Sequence, residues 1–233
     1  MATRNVPKVS IIADFSEEYA FVKERYVSAR RAIGVDTFRK IIAFNIPGAK
    51  AQSLPGIQKE VIAYLDANAL RLRARLAAEK VVHRKIWREF EKLFFEETSR
   101  ATGLSWQYAT YRIHLTASCF WGGDYDENAR DVYINPLLKQ GDPLYVTCHE
   151  LSHLLYWEYL HAHYSKSFIA RHRAKLWELS EIMVNYPLIR AKAFPHFPLV
   201  IPPDIVNGKS IAADFSRKSY LDILDCEIKK IAR

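Results

Sequence analysis

His149-Glu150-Leu151-Ser152-His153 places two imidazoles four residues apart, with a carboxylate directly after the first. On a helix, residues four apart lie about 40° from each other around the axis, so both rings project from one face and can reach a single ion. Neutral imidazole nitrogen is a good ligand for Zn2+, and zinc with three protein ligands keeps a fourth position for water, whose pKa it draws towards neutrality. A carboxylate beside such a water can take its proton and later hand it to a leaving amine. The residue types and their spacing therefore point to metal-assisted hydrolysis, with His149 and His153 as ligands and Glu150 as general base.

The elements that must position this motif are marked by local punctuation. Gly141, Asp142 and Pro143 read as a break, an N-cap and a first helical residue, so the motif falls on a helix over about 143–160. Two strands precede it. In Tyr108 to Ala117 apolar and polar residues alternate with period two, and Asp131 to Asn135 is a second short strand stopped by Pro136. Between them, Gly122, Gly123 and Asp124 mark a turn or a close backbone approach.

Upstream the chain reads as helical. Asp14 and Glu17 have capping-box spacing ahead of a helix over about 15–33 that Gly34 ends, and 38–46 is open between helix and strand. A long helix then runs over about 57–98, with Leu65, Ala69, Leu72, Leu76, Ile86, Phe90 and Phe94 near helical spacing. Downstream, a helix over about 167–186 ends at Pro187, a proline-rich stretch holds Pro195, Pro198, Pro202 and Pro203, and a last helix carries Leu221, Leu224, Ile228 and Ile231 on one face. The predicted class is α+β, mainly helical, with a small mixed sheet preceding the motif helix. Residues 1–104 form an N-terminal helical region and 105–233 the catalytic region with its C-terminal helix, packed as one unit.

Composition narrows the setting. With 233 residues and 49% hydrophobic content the chain has material for a real core, and no apolar run is long enough to span a bilayer. The start, Met1 to Lys8, lacks the layout of a signal peptide, so the expected location is the cytoplasm. Cys119, Cys148 and Cys226 are widely spaced and form no CxxC pair, which argues for buried reduced thiols and against a thiolate zinc site. The net charge of +8 favours acidic partners, and 71–88 carries seven Arg or Lys residues against Glu79 alone. Without aromatic interleaving or a known nucleic-acid motif, that basic face reads as a solvated helix or a dock for an acidic partner ahead of a nucleic-acid surface.

Over about Tyr108 to Tyr186 the chain resembles the zincin superfamily, in which an HExxH helix packs beneath a small sheet whose edge strand receives the substrate backbone. Metzincins add a glycine and a third histidine, but Tyr156 and Tyr159 stand at those positions. His161 and His163 stay open as third ligands, though a straight helix carries them about 12 Å or more along its axis from His153. Glu178, Glu181 and Asn185 share one face of the following helix. This is similar to the gluzincin arrangement, where a glutamate from a later helix completes the zinc site. The resemblance favours Glu181 over Glu178, because Asn185 stands one turn later as in the ExxxD pattern of thermolysin-like enzymes; Asn in place of Asp departs from it. The resemblance implies one Zn2+ per chain and a metallopeptidase acting on peptide or protein substrates, with backbone around Phe120 to Asp124 pairing with an extended peptide. It also implies an oxyanion partner, for which Tyr186, His196 and Tyr220 stay open. The alternatives are a DNA-associated regulator carrying such a domain, or a zinc-binding protein without turnover.

Overall fold

The computed structural model describes residues 6–138, 142–191, 194, 205 and 208–232. The chain opens on β1 (Lys8–Ile12), a strand inside the region whose sequence reads as helical. Five residues are too short a stretch for periodicity to reveal. Asp14 then caps a 3-10 turn at Phe15–Glu17 by accepting from the Ser16 amide at 2.9 Å. The chain continues as α1 (Glu18–Ile33) and, through Gly34 at φ 87°, as α2 (Val35–Asn45). Only glycine takes that positive φ at no steric cost, so Gly34 ends α1 as its position indicates. The ambiguous 38–46 segment is helical, with Phe38 and Ile42 buried one turn apart.

α3 (Leu54–Thr102) runs for 49 residues between the Ser53 cap and Gly103 at φ 73°. Its buried row is Leu65, Leu72, Leu76, His83, Trp87, Phe94 and Thr98, alternating steps of seven and four. Ile86, expected on that row, is 43% exposed. A polar imidazole at His83 hides the true phase. Two of the basic residues are turned to internal use, for Arg84 donates to the Ile11 carbonyl at 3.2 Å and Arg73 lies 5.1 Å over the Phe15 ring.

β2 (Thr110–Leu115), β3 (Gly123–Asp126) and β4 (Asp131–Ile134) complete the sheet of the described residues in the order β1-β2-β4-β3. β1 and β4 flank β2 in parallel, while β3 runs antiparallel to β4 as an edge strand where the sequence signals a turn. The remaining helices are α4 (Pro143–His163), α5 (Lys166–Met183), α6 (Asn185–Arg190), α7 (Gly208–Ala213) and α8 (Tyr220–Ile231). Pro187 does not end the predicted helix. α5 stops at Met183, and Pro187 sits in the first turn of α6, where its missing N–H would lack a helical partner anyway. The stretch from Pro195 to Pro203 lies outside the described residues, apart from a single position further on, Ile205.

α4 joins two apolar cores. Leu151 and Leu154 pack with the sheet and α1 to α3, whereas Leu155, Tyr156, Trp157 and Leu160 pack with α5 and α8. A helix apolar on all sides is buried on all sides. The protein is α+β, mostly helical, with a small mixed four-stranded sheet ahead of α4. No helix among the described residues is long and apolar enough to cross a membrane.

Candidate metal centre

α4 begins as its sequence dictates: the Asp142 carboxylate accepts from the Leu144 amide at 2.9 Å, and Pro143 takes the first helical position. Its central place between sheet and α5 carries polar side chains inside, leaving Glu150 8% and His153 1% exposed. His149 Nε2 and His153 Nε2 lie 3.1 Å apart. From α5, Glu181 brings Oε2 to 3.6 Å from the first and Oε1 to 3.5 Å from the second. Ligand atoms at about 2.0–2.2 Å in a tetrahedral zinc site stand about 3.3–3.6 Å from one another. The three side chains thus already have the spacing of three corners of such a site. Among the described residues no other set of His, Cys, Asp or Glu converges in this way. Glu178 faces solvent and is not part of the group.

No protein-family model, curated protein or solved structure matches this chain.

The residues beside the triad come from β3 and α4. The Glu150 carboxylate packs over Gly123, where an added Cβ would lie 2.5 Å from Glu150 Oε1 and 2.7 Å from both Glu150 Cγ and Val146 Cγ1. The close approach at Gly123 is therefore made by this side chain of the same molecule, whereas Gly122 meets nothing within 4 Å and serves the turn at φ 107°. Burial, reinforced by the Glu181 and Asp124 carboxylates, raises Glu150 well above the usual carboxylate range. Burial also lowers His153 to about 3, against the pull of Glu181, which keeps the imidazole neutral.

Both histidine rings bury an Nδ1 that has no hydrogen-bond partner among the described residues. Asn185 does not supply the bond that its place in the ExxxD-like pattern implies; its Nδ2 donates to the Glu181 carbonyl at 2.8 Å, bracing the break between α5 and α6. Aromatic rings flank the histidines instead. Tyr125 stacks on His153 at 4.5 Å and 13°, and Tyr145 lies 5.9 Å from His149 at 46°. No sequence pattern distinguishes these two among 13 tyrosines.

The other histidines and tyrosines singled out by sequence lie elsewhere. His161 Nε2 is 3.2 Å from Glu127, and His163 stacks on Tyr159 at 4.2 Å. Tyr186 donates to the Lys218 carbonyl at 3.0 Å and, with Tyr220 and Phe215, fills the second core. His196 lies outside the described residues.

On β3, Gly122 and Asp126 carbonyls accept from Asn135 and Arg130 on the β4 side, so Gly123 and Tyr125 turn their backbone groups outwards. Arg25 of α1 grips this edge. Its Nε and Nη2 each lie 3.0 Å from an Asp124 carboxylate oxygen, its Nη1 3.2 Å from Asp126, and Nη2 also donates to the Tyr125 carbonyl. The Tyr125 amide donates to Asp124 Oδ1 at 2.8 Å.

Proposed function

We propose that this chain is a zinc-dependent hydrolase of peptide bonds, with one metal ion held by His149, His153 and Glu181 and with Glu150 as general base. The observation that carries the reading is the convergence of two Nε2 atoms and one carboxylate at 3.1–3.6 Å, with Glu150 the next residue on the same helix. Bound Zn2+ would polarise a scissile carbonyl and acidify a water molecule. The protein's own residues do the rest. Glu150, held against Gly123, is placed to accept the proton of the attacking water and return it to the departing nitrogen.

An antiparallel edge strand beside the motif helix favours an extended peptide as substrate, since such a strand can add one more. The outward groups of Tyr125 are already taken by Arg25 and Asp124, so Gly123 is the residue a substrate strand would pair with. The sequence resemblance to zincins, in which an edge strand receives the substrate backbone, supports the reading to that extent. Arg71, Arg75, Lys85 and Arg88 lie exposed on α3, which favours a substrate or partner with acidic character. Three cysteines without a disulfide fit a cytoplasmic setting.

Protein purified without added metal is expected to carry about one zinc per chain by elemental analysis. In a peptide-library screen, Glu150→Gln should lower turnover by about 10²–10⁴-fold with metal content unchanged. Metal-free wild type that does not take up zinc, or equal turnover by the variant, would overturn the reading.

A further inference from the structure

Histidines that bind metals ordinarily donate Nδ1–H to a carboxylate, carbonyl or water, which fixes tautomer and ring plane. Among the described residues, neither His149 nor His153 has a side-chain or carbonyl partner at its buried Nδ1. At His153 another device holds the plane. The Tyr125 ring lies parallel to the imidazole, 4.5 Å away, and its hydroxyl accepts from Trp157 Nε1 at 2.9 Å. Trp157 is fully buried one turn after His153 on α4. Arg173 covers its ring at 3.8 Å and is itself held by Glu127 through two bonds of 2.7 and 2.8 Å.

We propose that Tyr125, clamped by Trp157, is the positioning residue for His153, doing by stacking what a hydrogen bond to Nδ1 does in other metal centres. The inference rests on the metal-binding reading of the site. A parallel ring at this distance blocks rotation about the histidine Cβ–Cγ bond, and the carboxylate of Glu181 opposite Nε2 selects which ring edge faces the ion. A phenol free to swing about its Cα–Cβ bond would not do this; the bond from Trp157 fixes the hydroxyl end and so keeps the ring over the imidazole. The arrangement is one-sided. Tyr145 is tilted by 46° to His149, so of the two rings His153 alone has a tyrosine stacked parallel to it.

The test is titration of metal-stripped, full-length protein with Co2+, followed by visible absorption, together with chelator competition for Zn2+. Tyr125→Leu removes the stack and is expected to weaken affinity by about 10–100-fold and to change the Co2+ spectrum. Tyr125→Phe keeps the ring but not the oxygen that Trp157 holds, and should fall between the two. Wild-type affinity and spectrum in the Leu variant would overturn the clamp. Were that variant to lose its helical circular dichroism, the Phe variant decides in the same way, unchanged affinity and spectrum again overturning it. Wild type that binds neither metal would remove the metal centre and the clamp with it, whereas normal wild-type binding with unaltered variants removes the clamp alone.

Discussion

Gly123 and Glu150 act as one unit at the level of single residues. A methyl group at 123 would meet the Glu150 carboxylate and Val146 at 2.5–2.7 Å, well inside van der Waals contact, so the carboxylate must move. The three ligands are untouched by that change. Gly123→Ala should therefore keep its zinc by elemental analysis, while peptide turnover falls by about 10²-fold, the typical cost of a 1 Å misplacement. Loss of zinc together with turnover would mean that the residue serves the fold and not the base. The ligand set has its own contrast. Glu181→Ala should lose zinc to a chelator far more readily than Glu178→Ala, because only Glu181 faces both Nε2 atoms. Equal retention by the two variants would reassign the third ligand.

Among the elements, the first turn of α1 braces the loop that leaves β2. The buried Glu18 carboxylate accepts from the Thr116 hydroxyl at 2.6 Å, the Ala117 amide at 2.6 Å, the Ser118 amide at 3.0 Å and the Ser118 hydroxyl. Glu18→Ala strands these donors, and leaving even two of them unsatisfied costs about 2–6 kcal/mol. The urea midpoint should fall accordingly. Glu18→Gln should recover only part, because its amide nitrogen is a donor facing donors; full recovery would show that the carboxylate charge and its second acceptor are dispensable. This contact also shows where sequence reading stops. Asp142-Pro143 and Gly34 were legible as helix boundaries because caps and positive φ are local chemistry, and two histidines of the motif share a face for the same reason. Glu181 needed the resemblance in addition. β1 was not legible, since it is a strand only through a partner about a hundred residues along the chain, and β3 was not, since its Gly and Asp residues signal a turn although its partner is the next strand. Nor was Tyr125, whose role arises from α4 passing beneath β3, or His83, a polar residue in an apolar row.

At the scale of the whole molecule, α4 stands between two cores, and its seam with α3 is closed by a titratable pair behind the metal centre. Thr147 donates its hydroxyl to the Pro143 carbonyl at 2.7 Å, so its oxygen is free to accept from His83 Nε2, 3.1 Å away. That bond requires only the neutral ring. Burial lowers the His83 pKa from 6.5 to about 4, with a small opposing pull from Asp142. Between those two values the unfolded chain binds a proton at this residue and the folded chain does not, so stability falls as the pH falls from about 6.5 towards 4. At 1.36 kcal/mol per unit, the whole shift corresponds to about 3 kcal/mol. His83→Gln keeps a donor for Thr147 and cannot titrate. Measured by urea unfolding of metal-free protein at pH 7.5 and near pH 4.5, wild type should lose about 2–3 kcal/mol more than the variant. Protonation of every other group is common to both proteins and cancels in the comparison. Equal losses would show that the imidazole escapes to water or charges in place. A difference of the expected size would assign that share of the acid loss to the buried His83 imidazole at the α3–α4 seam, whose partner Thr147 lies two residues from His149.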